Sequence, residues 1–467
     1  MKKGFMMLLV LMLLLGMCTI VSAVTVPDEI RVGIYYGSKG VSSVEISCDA
    51  GMKIGIIDDD GDFDVIEEIE PGETVVAKKG GDKHSVKISG LGEFGDDENY
   101  VCFISDENRD GDKLISINGT VYRGDVELKR FSDSDMTVIN VVSMQEYLYG
   151  VVPREIGGNS PIEAVKAQAI IARTYAAKNY NKRIKWGFNL LPTVDDQAYG
   201  GYKWENPNSN RAVDETNGMV ATYDGELIGG YYFSTSGGYT ENSENVWGGK
   251  LDYLKSVPDI YEPEDLNKKT WSVTLSADEV EDRLAEHNIY VGDVIDLVPT
   301  KLSEVGRVIE LKVIGSDDTV LLSKEKVRTY LKLDSQWYTV NDEPPKVAEY
   351  IVEDEKHTNN RNDRDDIYIY EDEEEIEKEE KKKEKKEKEI KPLLQKLLDI
   401  VNGKDEAVEM QVEYSAKRAK GEFVIQGRGW GHAVGMSQNG AKGMAENGFD
   451  CEEIIKWYYS GVEISSN

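Results

Sequence analysis

Apolar positions along the chain change rhythm several times, and each rhythm predicts a different kind of structure. From Glu29 to Arg130 they form short runs cut by Gly and Asp: Ile30 to Tyr36, Val44 to Cys48, Lys53 to Ile57, Thr74 to Ala77, Ser85 to Ile88 and Leu114 to Ile117. Runs of this length bounded by turn residues predict strands. Two more, Asp125 to Lys129 and Met136 to Val142, lead into Met144–Gly150, where the first long helical section begins.

Between Pro161 and Asn181 the period lengthens, with Ile162, Val165, Ala169, Ala172 and Ala176 on one apolar stripe. Pro161 suits a first helical position, and Ser160 with Glu163 has the spacing of a capping box. Lys166 and Arg173, seven apart, share the neighbouring face. Beyond Trp271 the pattern predicts a strand, a helix capped by Ser276 with Glu279, strands near Val294 to Val298, Val308 to Val313 and Thr319 to Leu322, and a short helix into Leu331. The order is that of an α+β protein, a β-rich region at 24–120 followed by a mixed domain at 121–467, with no internal repeat.

That second domain is interrupted. Between 342 and 420 the composition shifts, and eighteen of the twenty positions from Glu371 to Ile390 are charged, which leaves nothing to bury in a core. The stretch reads as a solvated spacer or as a partner-binding arm ending in Leu393, Leu394, Leu397 and Leu398.

At the N-terminus, Lys2 and Lys3 precede an apolar run from Phe5 to Ile20 and the small-residue site Val21-Ser22-Ala23. This predicts an export signal over 1–23, either cleaved or retained as a membrane tether, because the run approaches bilayer length. The remainder is expected outside the cytoplasm, at the membrane's outer face or in the cell wall. A net charge of −32 excludes nucleic acid as a partner, since phosphate binding needs cations in excess. Cys48, Cys102 and Cys451 match no zinc or CxxC spacing; Cys48 and Cys102 are open to pairing or to remaining thiols.

Four segments, in this order, resemble the stage II sporulation protein D and amidase-enhancer (SpoIID/LytB) family. They are Glu146–Glu155, ending Val151-Val152-Pro153-Arg154-Glu155; Glu163–Ala176, with Lys166-Ala167-Gln168 and Arg173-Thr174-Tyr175; Asp196-Gln197-Ala198-Tyr199-Gly200-Gly201, continued by Tyr232–Thr240; and Gly427–Ala441, with Gly431-His432 and Ser437-Gln438. The resemblance runs from about Val121 to Ile464 outside the charged insertion. It implies a peptidoglycan lytic transglycosylase acting on glycan strands, in sporulation and on strands stripped of peptides by a partner amidase, or else a non-catalytic enhancer of such an amidase. A scaffold that recruits a wall or membrane partner through the charged insertion is compatible with both.

Glycan cleavage needs at least one carboxylic acid to protonate the glycosidic oxygen. Hydrolases add a second carboxylate; a lytic transglycosylase omits it, because the 6-hydroxyl of N-acetylmuramic acid attacks internally and leaves a 1,6-anhydro end. The resemblance places the family's catalytic glutamate at Glu155, a residue that motif-free reading would leave as a capping or pairing carboxylate. Arg154, Lys166, Arg173 and the following helix N-terminus would all favour its charged form, whereas an acid at neutral pH needs burial. Lys166 and Arg173 are candidate donors to N-acetyl or lactyl oxygens, Gln197, Tyr199 and Tyr202 candidate sugar contacts in a Gly-rich loop, and His432 with Gln438 a candidate substrate-side pair. Some relatives hold zinc with Cys and His around the segment that here reads Tyr231–Gly238, which contains neither; four ligands are needed, so no metal and no cofactor are expected.

Overall fold

The computed structural model describes residues 25–466, apart from 58–62, 97–98, 132–134, 264–265, 267–268 and 347–420; within that last stretch only a strand pair at 350–351 and 368–369 is described. The segment 1–23, expected to be a signal or tether, and most of the charged insertion therefore lie outside the described residues. The α+β expectation holds, with helices and antiparallel strands both abundant.

The chain separates into two compact units, one holding Met1–Tyr232 with Ala441–Asn467, the other Phe233–Gly440. In the first, one six-stranded sheet runs in the order Glu29–Tyr35, Met136–Ser143, Asp125–Arg130, Tyr100–Ser105, Met52–Ile57, Phe63–Ile69. A second runs Thr120–Arg123, Leu114–Ile117, Ser43–Ser47, Thr74–Lys79, Val86–Ile88, Gly92–Phe94.

The sequence pattern suggests a domain boundary near 120, but strands from both sides of that point share a sheet. Val32 pairs with Asn140, and Leu128 with Val101. The reason is burial: Met136–Val142 is buried at every residue, so it needs neighbours on both edges and cover on both faces. On one face Ile139 and Val141 pack against Phe188 and Leu191. Phe188 also fills the space over Gly33, where a Cβ would lie 2.6 Å from its ring.

The helix expected from the apolar stripe spans Ile162–Lys178, and from Ala164 to Ala176 only Lys166 is not fully buried. The capping box at its start does not form. Ser160 Oγ donates instead to Ile156 O at 2.7 Å, and Glu163 pairs with Lys166 and accepts from the Cys451 backbone N–H. The box at Ser276 and Glu279, in the second unit, does form. The chain's end returns to the first unit, where Glu463–Ser466 pairs with Met219–Tyr223.

In the second unit Thr270–Ser276, Glu422–Arg428 and Trp337–Val340 form one sheet, and Val294–Leu302, Val308–Gly315 and Thr319–Ser323 another. Leu275, Val280, Leu311, Tyr338 and Ile425 lie in their common core. Cys48, Cys102 and Cys451 are free thiols, and burial pushes Cys102 and Cys451 up to about 12.

Candidate active site

The candidate acid, Glu155, sits on an irregular turn. Ser143 caps the Met144–Val152 helix by accepting the Glu146 N–H, and the chain then widens into a π-helical turn over Pro153–Gly157. Pro153 has no N–H to continue the ladder, and Gly157 closes the turn at φ +87°. A π turn holds one extra residue per turn, so side chains leave the helical register, and such turns recur at functional sites. Here it carries Arg154 and Glu155.

Glu155 is half-buried, and its Oε1 accepts the Ala198 N–H at 2.8 Å. Beside it lies a polar cluster built around Gln197, which is 1% exposed. Tyr147 donates to Gln197 Oε1 at 3.2 Å, while Gln197 Nε2 donates to Ala172 O and to the Tyr232 hydroxyl, each at 3.2 Å. Burial pushes both phenols well above their ordinary range; the carboxylates of Asp196 and then Glu155 add to this at Tyr147, and Glu155 adds to it at Tyr232. Both phenols therefore remain neutral, Tyr147 donating to Gln197 and Tyr232 accepting from it.

Asp196 is the other carboxylate felt by Tyr147, and it is fully occupied. Lys182 and Arg183 pair with its two oxygens, and the Leu191 N–H donates to Oδ2 at 2.9 Å. It pins the loop that carries Gln197 and Ala198, the residue whose N–H reaches Glu155.

The remaining sequence candidates disperse. Tyr199 is a packing residue: its hydroxyl donates to Asn140 Oδ1 at 2.8 Å and its ring lies 5.1 Å from Tyr147. Tyr202 is 37% exposed, with the Arg123 guanidinium 5.1 Å from its ring centre. Lys166 is held between Glu163 at 2.9 Å and Glu215 at 2.8 Å. Arg173, 1% exposed, donates to Met219 O and Val213 O, and burial lowers it to about 10. That placement ties the Ile162–Lys178 helix to the segment after it and does not present the guanidinium to a ligand. Arg154 lies over Trp204, at 4.6 Å. The three cations expected to crowd Glu155 thus each have a partner elsewhere.

His432 and Gln438 belong to the second unit. His432 Nδ1 accepts the Val434 N–H at 3.1 Å, which leaves Nε2 to carry the proton of the neutral ring; Trp247 lies 4.9 Å away, centre to centre. Gln438 opens the Gln438–Glu446 helix and is buried. The Ser236–Gly237 turn is clamped by Glu262, which accepts both backbone N–H groups at 2.7 and 2.8 Å, while Arg307 donates to Ser236 O and Tyr239 O. Among the described residues no group of three or more His, Cys, Asp or Glu is arranged to hold a metal ion.

Burial, and then Asp259, push the Glu262 carboxyl up to about 7. An unfolded chain gives up this proton near its ordinary value of about 4.5, so as pH rises from there to about 7 the unfolded state gains relative to the folded one. The second unit should lose about 2 kcal/mol across that window, a loss that Glu262→Gln removes. Urea midpoints of both proteins at the two ends of the window check this; parallel pH profiles would exclude it.

Residues 132–223 match the Stage II sporulation protein (SpoIID) family, and residues 260–353 match a domain of unknown function, DUF8618. The amidase enhancer of Bacillus subtilis (strain 168) is 28% identical over 372 residues, covering 78% of this chain and 46% of its own length. The stage II sporulation protein D of Bacillus amyloliquefaciens is 26% identical over 364 residues, covering 74% of this chain and 80% of that protein. The chain carries a SpoIID segment and is similar to proteins of the SpoIID/LytB family. The SpoIID match spans the π turn, Gln197 and the Asp196 clamp, while Tyr232 lies beyond its end. The SpoIID motifs do not signal Trp204, which follows them as an ordinary aromatic in a loop, nor the hydrogen bonds of Tyr147 and Tyr232 with Gln197.

Proposed function

We propose that this chain is an exported peptidoglycan lytic transglycosylase, with Glu155 as its acid. Glu155 protonates the glycosidic oxygen as the bond to the muramic C1 breaks, and the 6-hydroxyl of the same sugar closes on C1, giving up its proton to the carboxylate. Atoms and protons balance without a water molecule. The observation that carries the reading is the place of Glu155, half-buried on the π turn, held by the Ala198 N–H and close enough to the buried, neutral Tyr147 and Tyr232 to raise both phenols, while the neighbouring Asp196 is bound by Lys182 and Arg183. A hydrolase would need a second available carboxylate. The substrate would be glycan strands, stripped of peptides by a wall amidase, met outside the membrane with the 1–23 segment as signal or tether.

A second reading is favoured by one finding, the relative named amidase enhancer. In it the chain binds strands and stimulates an amidase without cutting them. Mass spectrometry of soluble products from intact and amidase-treated peptidoglycan separates the two. Anhydro-ended saccharides support the transglycosylase; stimulated amidase release with no sugar product leaves the enhancer.

A further inference from the structure

We propose that Trp204 is a saccharide-stacking subsite next to the acid, a role that rests on the glycan-strand reading above. Trp204 ends a short turn, Tyr202–Trp204, and is 46% exposed. Large indoles are costly to leave in water, and this one is held there by construction. Gly201 enters the turn at φ +71°. At Gly200 an added Cβ would lie 2.4 Å from both Arg154 Cδ and Trp204 Cδ1, so only glycine lets the arginine and the indole close over the backbone. The Arg154 guanidinium then rests 4.6 Å from the indole centre. Glu205, the next residue, is locked by Arg123.

The ledge is tied to the acid twice. Arg154 is the chain neighbour of Glu155 on the π turn, and Ala198, whose N–H holds Glu155, begins the loop that ends in Trp204. The surroundings choose the occupant. A docking face for an apolar protein segment would be rimmed by aliphatic residues, whereas Trp204 has the Arg154 guanidinium over its ring and the exposed Tyr202 and Lys203 just before it in the chain. An exposed indole with a guanidinium donor beside it matches a pyranose, whose C–H face stacks on the ring side that Arg154 does not cover while its hydroxyl and acetamido groups reach the donor.

The test uses the secreted chain carrying Glu155→Gln, so that binding is measured without turnover, and peptide-free glycan strands prepared with an amidase. Trp204→Ala in that background should weaken binding about tenfold, and Trp204→Phe should restore most of it. Strand binding unchanged by Trp204→Ala overturns the subsite, as does equal loss in both variants accompanied by a lowered melting temperature. Binding that depends on Trp204 in a chain whose wild type releases no anhydro product would leave the subsite standing and remove the transglycosylase. No binding by the Glu155→Gln parent overturns the subsite itself.

Discussion

Glu155→Gln should reduce release of anhydro-ended saccharides by about a thousandfold, within the range that a positioned general acid supplies. The substitution is chosen for what it keeps. A glutamine carbonyl can still accept the Ala198 N–H that now reaches Oε1 at 2.8 Å, so the loop from Asp196 to Gly200 should stay in place. What is lost is the transferable proton. The melting temperature should therefore hold while product falls. Glu155→Asp makes the complementary point, since it retains the proton but draws it back by one methylene, and positioning error alone is costly in catalysis. Anhydro product from Glu155→Gln at wild-type rate would sink the assignment; loss of product together with loss of folding would mean that the carboxylate mattered only as an acceptor.

The same residues show where reading the sequence stopped. Strand segments from Glu29 to Ile117 were legible because period-two burial leaves its mark locally, as in Ser43–Ser47, where Val44 and Ile46 point inward. The Phe63–Ile69 and Tyr100–Ser105 strands were not, the first because its exposed polar residues hide the alternation and the second because it is buried almost throughout. Glu155 was legible only through its motif, and nothing in the periodicity foretells a π turn. Arg173 illustrates the opposite case. Its spacing from Lys166 suggests a shared cationic face, yet one is buried against backbone carbonyls and the other sits in an ion pair, because partners from 213–219 are invisible to a helical wheel.

Arg123→Ala should destabilise the first unit by about 3 kcal/mol, because it leaves the largely buried Glu205 carboxylate without its cation. Arg123 forms a two-pronged pair with Glu205, at 2.6 and 3.0 Å, and reaches Asp112 at 2.6 Å and Glu146 at 3.7 Å. The side chains of Arg123 and Glu205 are 11% and 10% exposed, so this is no solvated surface pair and about 0.5 M salt should not erase the effect. Arg123→Lys should recover only part of the loss, since an ammonium cannot span both oxygens of Glu205. Arg123→Ala combined with Glu205→Ala should cost less than the sum of the two, because the second change removes a charge that the first left stranded. Urea denaturation of the four proteins measures this; strict additivity, or a loss abolished by salt, would reduce the cluster to a surface contact. The consequence reaches the site, because the strand of Arg123 pairs with Leu114–Ile117 of the β-rich region and Glu205 follows Trp204 directly. The strands before 120 are then part of what holds the aromatic ledge, and a chain begun at 121 would lose the sheet partners of the Arg123 strand, Leu114–Ile117, along with the Asp112 carboxylate.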